Sequence, residues 1–282
     1  MFDLGRINKL TVLRETSVGF FLGHPIDGPH DDRDDILLPN KYIPAGLTVG
    51  DDIDVFLYTD SEDRPIATTL TPHILRDEFA PLPVVAVSSV GAFMNWGLEK
   101  DLLIPYREQS KSMAVGEWYV VFLYLDEETG RLVGSTKVSR FLDPDVSALH
   151  EGDAVDLLVY ERTDLGFNVI IDDRYRGLLY HNEVFRPVQV GDRMPGFIKR
   201  VRDDDRIDVR LQPAGFAHVE PNAQRILETL KQQQGFLPLT DNSPPRAIYE
   251  TLEMSKKTFK KAIGTLYRER RIVIRDDGIA LV

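Results

Sequence analysis

The sequence predicts a mainly β protein made of three consecutive five-stranded barrels and a smaller α+β domain after them. Three observations lead to this prediction. Four short landmarks recur three times in the same order, the segments between them are rich in β-branched and aromatic residues, and the pattern changes to helical spacing after residue 219. Landmarks repeated at a fixed spacing indicate repeated structural units.

Each repeat contains a glycine-aromatic segment, an aliphatic run, a Val-Gly-acidic turn and an acidic turn that ends in arginine. The first landmark is Val18–Phe21, Val90–Phe93 and Leu165–Asn168; the second is Asp35–Pro39, Asp101–Pro105 and Gly177–His181; the third is Val49–Asp51, Val115–Glu117 and Val190–Asp192; the fourth ends at Arg64, Arg131 and Arg206. From the first residue of the second landmark to the glycine of the third there are 15, 15 and 14 residues. This spacing predicts three copies of one fold.

The segments between the landmarks predict β-strands. Asp52–Tyr58, Trp118–Leu125 and Val155–Tyr160 are rich in aliphatic and aromatic residues, which is typical of strands. The glycines of the first landmark suit a strongly bent strand that another backbone approaches closely. Five short strands in each repeat predict small closed barrels over residues 1–72, 73–143 and 144–219.

Residues 220–282 predict a different kind of domain. Asn222–Gln234 has helical spacing of its aliphatic residues, Pro245 fits the first position of a second helix, and Ser255 is an N-cap candidate for a third. In the third helix Phe259, Ala262, Ile263, Leu266 and Tyr267 form an apolar stripe. Ile272–Ile274 and Ile279–Val282 flank an Asp-Asp-Gly turn and predict a hairpin. Three helices and a two-stranded wing predict a winged-helix domain.

Charge and composition exclude several classes of protein. The 282-residue chain has a net charge of −11, which divides into −14 for residues 1–219 and +3 for residues 220–282. It has no cysteine, which rules out disulfides and thiol catalysis and is consistent with the cytoplasm. The N-terminal segment lacks the apolar run of a secretory signal, and no window is apolar enough to span a membrane. We find no catalytic motif and no metal-binding spacing, so we expect a protein without enzymatic activity, small-molecule cofactor or metal.

The order of the landmarks resembles the S1 domain, an RNA-binding barrel of the OB-fold class. The third repeat is the most similar, because Gly166–Val169 and Gly177–Glu183 match the Gly-Phe strand and the Gly-Leu-Val-His-x-Ser-Glu strand of S1 domains. In this alignment Tyr180 occupies the histidine position, while Asp35 and Asp101 replace the glycine of the second strand. Three S1-like OB-fold barrels followed by a winged helix resemble the conserved virulence factor B-like family. The resemblance implies an RNA-binding regulatory protein of the bacterial cytoplasm.

The third barrel contains the strongest candidates for RNA contacts. OB-fold barrels stack bases on exposed aromatic residues beside a positive groove. The candidates here are Phe167, Arg174, Tyr175, Arg176, Tyr180 and His181. For Phe167 a core position competes with a binding role, and Arg174 and Arg176 fit a solvated charged loop as well as a phosphate contact.

The other two barrels give weaker candidates. In the second barrel these are Phe93, Trp96, Tyr106 and Arg107, and Trp96 fits either a stacking residue or a residue that caps the barrel. The first barrel has a net charge of −7, concentrated in the loop around Asp31–Asp35 and in Asp51–Asp52. Because this charge repels phosphates, the first barrel fits a structural role or a protein partner better.

The predicted recognition helix carries a dense group of cations. Lys256, Lys257, Lys260, Lys261, Arg268 and Arg271 are candidates for phosphate contacts. The segment has no Asn or Gln between residues 255 and 271, so we expect little sequence specificity. We expect single-stranded RNA as the partner. Two alternatives stay open: a protein-interaction scaffold and a DNA-binding transcriptional regulator.

Overall fold

A computed structural model describes residues 2–24, 35–184, 186–213 and 221–282. The chain forms two compact units, Met1–Leu211 and Gln212–Val282. The first unit contains three β domains and the second contains helices and a small sheet. The protein is therefore mainly β, as predicted. The acidic loop predicted around residues 31–35 lies largely outside the described residues.

The first barrel is closed and consists of β1 (Ile7–Thr16), β2 (Gly19–Gly23), β3 (Ile36–Pro39), β4 (Asp52–Thr59) and β5 (Pro65–Thr68). The strand order is β1-β2-β3-β5-β4, and β3 pairs with β5 in parallel. Alternating side chains of β1, β2 and β4, including Leu10, Leu22 and Leu57, fill the interior. This alternation of buried and exposed residues follows from the two-residue period of a strand.

The second domain has the same strand sequence but is not closed by hydrogen bonds. It consists of β6 (Phe79–Val87), β7 (Gly91–Met94), β8 (Leu102–Pro105), β9 (Trp118–Asp126) and β10 (Arg131–Ser135). The sheet order is β10-β9-β6-β7-β8, so β8 and β10 are its two edges. The prediction of closed barrels holds for the first and third domains, whereas in the second the side chains of β8 pack over Gly134 of β10 in place of a backbone ladder. The domain is a half-barrel.

The third barrel is closed again, with the strand order of the first. It consists of β11 (Ala154–Arg162), β12 (Gly166–Ile171), β13 (Tyr175–Tyr180), β14 (Arg193–Val201) and β15 (Ile207–Arg210). A parallel pairing of β13 with β15 completes it. Val159, Val169, Leu179 and Ile198 lie in its core.

Strand register corrects the alignment of the repeats by one residue. Gly19 lies opposite Pro39, Gly91 opposite Pro105 and Gly166 opposite Tyr180. Tyr180 therefore corresponds to the two prolines, and Gly177 corresponds to Ile36 and Leu102. The sequence pattern pairs Gly177 with Asp35 and Asp101 instead, because the lengths of the aliphatic runs carry no information on strand pairing.

Aromatic residues join the three β domains. Trp96 of the second domain is buried against Phe56 and Tyr58 of the first, with its ring edge-on to both. Between the second and third domains, Phe122 stacks on Phe141 with ring centroids 4.2 Å apart, beside Phe79. Leu158 and Ile170 of the third barrel belong to the same cluster. These contacts explain why the three β domains form one compact unit.

The second unit is a winged-helix domain. It contains α1 (Pro221–Gln232), β16 (Phe236–Leu237), α2 (Pro245–Leu252), α3 (Lys256–Arg268), β17 (Ile272–Arg275) and β18 (Gly278–Leu281). The Ser255 hydroxyl accepts a hydrogen bond from the Thr258 N–H (3.1 Å), which confirms the predicted N-cap. The short strand β16, which pairs with β18, was not predicted.

One residue of the predicted apolar stripe of α3 is outside the core. Phe259, Ala262, Ile263 and Leu266 are buried, but Tyr267 is 55% exposed. At about 100° per residue, Tyr267 lies at the edge of the stripe, farther from its middle than the four buried residues, so its side chain leaves the buried face. Among the described residues, no helix is long and apolar enough to cross a membrane.

Candidate nucleic-acid interface

A groove runs across the third barrel, at the face formed by β12 and β13. It has a volume of about 530 Å³. The β11–β12 loop contributes Thr163, Asp164 and Leu165; the two strands contribute Asn168, Arg176, Leu178 and Tyr180; the β14–β15 loop contributes Arg202, Asp205 and Arg206; and β15 contributes Asp208. In OB-fold barrels the second and third strands and these two loops bind oligonucleotides. We call this site the barrel groove.

Arg202 is held rigidly at one side of the barrel groove. Its guanidinium donates to both carboxylate oxygens of Asp208 (2.8 and 3.0 Å) and to the Tyr180 hydroxyl. The hydrogen bonds to Asp208, and then the one to Tyr180, raise the pKa of Arg202 above its usual value. This contact fixes the Tyr180 ring, which remains partly exposed in the groove.

A second polar pair lies at the opposite edge of the same face. The Asn168 amide donates to a carboxylate oxygen of Glu161 at 2.6 Å, and Asn168 is only 8% exposed. This contact fixes the orientation of the amide beside Tyr180 and Arg176. The groove is lined by three arginines and three aspartates, so its own charge is balanced.

Two of the predicted contact residues in the third barrel belong to its core. Phe167 is 6% exposed and Tyr175 is 5% exposed, and both pack in the barrel interior. The inward direction of Phe167 follows from strand alternation, since its neighbour Asn168 lies on the groove face. Neither ring is accessible to a base. The structure therefore assigns both predicted contact residues to the barrel core.

Trp96 is also unavailable for stacking. It is 3% exposed, and its indole N–H donates to the carbonyl oxygen of Lys100 at 2.6 Å. The sequence left a stacking role and a capping role open. Burial against the first barrel excludes stacking and gives Trp96 a structural role between the two domains.

Tyr106 and His181 occupy equivalent positions and make equivalent contacts. Each begins a short 3-10 turn after the third strand of its domain, as Asn40 does in the first barrel. The Tyr106 hydroxyl donates to the carbonyl oxygen of Ser88 (2.6 Å), the Asn40 amide donates to that of Ser17 (2.8 Å), and the His181 ring lies 3.1 Å from that of Thr163. All three side chains fasten the loop between the first two strands. This shared contact gives Tyr106 and His181 a structural function whatever else they bind.

The remaining predicted residues of the β domains lie at the surface or in a second cavity. Arg107 pairs with Asp126 (2.9 Å) and Arg174 pairs with Asp143 (2.7 Å). Phe93 is partly exposed in a 290 Å³ cavity beside Trp96 and Lys100. Only Arg176 and Tyr180 of the sequence candidates line the barrel groove, with His181 at its margin.

In the first two domains, cations at the faces that correspond to the barrel groove are engaged by other residues. In the first barrel the Arg14 guanidinium lies 3.8 Å from the centre of the Phe21 ring and pairs with Asp35. In the second, the Lys100 ammonium donates to the carbonyl oxygens of Thr59 and Asp60 in the first barrel, and Arg131 pairs with Asp63. The cavity at the corresponding face of the second domain, about 290 Å³ beside Phe93 and Leu103, is smaller than the 530 Å³ barrel groove.

The cations of α3 lie at the surface of the winged-helix domain. Lys257, Lys260, Lys261 and Arg268 are exposed, and Lys256 is partly exposed. The Lys260 ammonium lies 3.4 Å from a carboxylate oxygen of Asp241. Arg271 is exposed directly after the helix. The buried residues Phe259, Ala262 and Leu266 hold the opposite side of the helix against the core.

Sequence reasoning missed Asn168, Arg202 and Arg206 as groove residues. The Arg-Asp-Asp-Asp-Arg segment from 202 to 206 is a repeat landmark, but the repeat pattern does not show that it forms the β14–β15 loop beside the second and third strands. One difference between the repeats did mark Arg202: the third barrel has an arginine where the first has Asp60. The two positions are equivalent, because each donates its backbone N–H to the carbonyl oxygen of the arginine that ends the turn. No group of three or more metal-binding side chains is found in the described part of the chain.

Comparison with known proteins agrees with this architecture. An S1 domain model matches residues 4–70 and 78–137, and a CvfB-like winged helix domain model matches residues 224–281. The chain therefore combines S1 domains with a CvfB-like winged helix. The family resemblance inferred from the sequence is confirmed. The S1 matches fall on the two domains that depart most from the S1 motif, and the third barrel shares the strand order of the first.

The chain aligns with several proteins over most of their length. The chain is 28% identical to the uncharacterized protein YitL of Bacillus subtilis, over 95% of this chain and 90% of that one. It is 26% identical to conserved virulence factor B of Staphylococcus aureus strain USA300, over 83% and 81%. A solved structure described as a multidomain protein with nucleic acid binding domains, from Streptococcus pneumoniae, is 24% identical over 99% of this chain and 98% of that one, with a TM-score of 0.45.

Proposed function

We propose that the protein is a cytoplasmic RNA-binding regulator that binds single-stranded RNA and acts without catalysis. The observation that carries the proposal is the barrel groove, an open cavity at the position where OB-fold barrels bind oligonucleotides. Tyr180 offers a ring for base stacking, and Arg176 and Arg206 offer cations for phosphates. S1 and winged-helix domains in one chain support a nucleic acid as the ligand.

The winged helix is the second part of the proposed interface. Four lysines within Lys256–Lys261 give α3 a positive surface on a unit whose net charge is positive, whereas the barrel unit is negative. Phosphate contacts by such lysines give affinity that depends strongly on salt and little on sequence. The barrel groove then supplies base contacts, and α3 supplies charge.

Fluorescence anisotropy with a labelled single-stranded RNA at low salt tests the proposal. We expect binding that weakens steeply as salt is added. An unlabelled single strand should displace the labelled RNA better than a duplex of the same length. Absence of binding at low salt contradicts the proposal. A preference for duplex DNA favours the transcriptional-regulator alternative.

Charge reversal on α3 tests the second part separately. We expect replacement of Lys256, Lys257, Lys260 and Lys261 by glutamate to remove most of the binding. These side chains are outside the core, so the fold should persist, which circular dichroism checks. Unchanged affinity means that the winged helix has no part in RNA binding.

A further inference from the structure

A positively charged cleft lies between the second and third β domains. It has a volume of about 260 Å³. Its lining residues come from the loops after β8 and β10 and from the edge of the third barrel; they include Lys111, Lys137, Arg140, Tyr160, Glu161 and Arg176. We call this site the interdomain cleft. None of the four landmarks that define the repeats contributes a residue to this cleft.

The charge of the interdomain cleft differs from that of the other cavities. Four cations and one carboxylate line it, whereas the barrel groove has equal numbers of arginines and aspartates. Arg140 also contacts the buried carboxylate of Glu108 (3.0 Å), and Glu161 is engaged by Asn168. Even with Glu108 included, the cleft keeps a net positive charge. An excess of positive charge in a molecule with a net charge of −11 requires an explanation.

The cations are placed by the fold. The Lys137 ammonium donates to the carbonyl oxygen of Arg107, and the Lys111 ammonium lies 5.5 Å from the centre of the Tyr119 ring. Lys111 and Arg140 are nevertheless exposed. These groups can therefore add an anionic ligand to their present contacts.

The interdomain cleft adjoins the barrel groove. Arg176 lines both cavities. The hydrogen bond between Glu161 of the cleft and Asn168 of the groove joins their walls.

We propose that the interdomain cleft is a phosphate-binding subsite for the single strand whose bases occupy the barrel groove. This inference rests on the proposed function and names a new part of the interface. The groove has base-contacting groups but a balanced charge, and the neighbouring cleft supplies the missing cations. A strand that spans both sites has bases on Tyr180 and backbone phosphates at Lys111 and Lys137.

The length of the RNA separates the two sites. OB-fold sites take about 4–16 nucleotides. A tetranucleotide is at the lower limit and fits the barrel groove alone, whereas a dodecanucleotide is long enough to reach the neighbouring cleft as well. Binding of a tetranucleotide and of a dodecanucleotide is measured by anisotropy competition in the full chain. The cleft variant is Lys111→Ser with Lys137→Ser; Arg140 is kept because it pairs with buried Glu108. The matched control is Lys9→Ser with Lys231→Ser, which removes two cations elsewhere.

We expect the cleft variant to weaken dodecanucleotide binding about tenfold at low salt. The slope of log affinity against log salt should also fall by roughly 1.4, because each phosphate that is no longer neutralised contributes about 0.7. Tetranucleotide binding should change less than about twofold, and the control pair should behave like the wild type. Dodecanucleotide binding equal to that of the wild type overturns the cleft proposal and leaves the proposed function intact. Failure of the wild type to bind either RNA overturns both. If the serine variant loses its fold by circular dichroism, Lys111→Gln with Lys137→Gln replaces it.

Discussion

The two tryptophans of the chain lie in opposite environments. Trp96 is 3% exposed and contacts Phe56 and Tyr58, whereas Trp118 is 56% exposed at the start of β9. Removing a large buried side chain loses its transfer free energy and leaves a cavity. Removing an exposed one does neither.

We therefore expect Trp96→Ala to lower the free energy of unfolding by about 3–5 kcal/mol. Trp118→Ala, the matched control, should change it by about 0.5 kcal/mol or less. Urea denaturation, followed by the fluorescence of the tryptophan that each variant retains in the first unit, measures the difference. Equal small effects would show that Trp96 does not hold the first two domains together.

Tyr180 combines a ring in the groove with a hydroxyl that holds Arg202. Two substitutions separate these parts. Stacking of a base on an aromatic ring contributes about 1–3 kcal/mol, so Tyr180→Ala should weaken binding of single-stranded RNA by roughly tenfold or more. Tyr180→Phe keeps the ring and should retain most of the affinity. If both variants bind like the wild type in an anisotropy titration, the ring does not stack on a base.

The first glycine of each second strand marks a close approach of two backbones. A Cβ at Gly166 would lie 2.1 Å from the carbonyl oxygen of Leu179, and Gly19 and Gly91 meet Leu38 and Ile104 in the same way. These contacts are with backbone atoms, so no side-chain rotation relieves them. Gly264 in α3 has open space at the same position.

At the level of these elements we expect Gly166→Ala to destabilise the protein by about 2–3 kcal/mol, because the strands must separate. Gly264→Ala should stabilise it by about 0.5–1 kcal/mol, since alanine is the better helix former. Thermal denaturation of the two variants gives the comparison. Similar behaviour of both would contradict the role assigned to the strand glycine.

The sequence predicted the positions of strands and helices better than it predicted which of their side chains are buried. Repeated landmarks and helix caps indicated the strands and helices, since these depend on local spacing. Burial of Phe167, Tyr175 and Trp96 depends on strand register and on contact between domains, which no single repeat contains. For the same reason the groove residue Arg202 was missed, because it meets Tyr180 only when β13 pairs with the distant strand β15. Asn168 was missed because strand alternation does not show which face of β12 lines the groove.

At the scale of the whole molecule, the three β domains share interfaces that the repeat pattern does not encode. The sequence predicts three separate β domains. The stack of Phe122 on Phe141 and the burial of Trp96 join them into one compact unit. The barrel groove and the interdomain cleft also depend on this arrangement. The cleft exists only because two β domains pack side by side.

Two spectroscopic signals report separately on the two compact units. Both tryptophans lie in Met1–Leu211, and the α-helices of the described chain lie in Gln212–Val282. Phe141→Ala removes part of the contact between the second and third domains and should lower the stability of the first unit by about 2 kcal/mol. We expect its tryptophan fluorescence transition to shift to lower denaturant while the helical signal at 222 nm keeps its midpoint. Leu252→Ala removes a fully buried side chain of the second unit. It should shift the helical signal to lower denaturant and leave the midpoint of the tryptophan fluorescence transition unchanged. A shift of both signals by either variant would mean that the two units unfold as one.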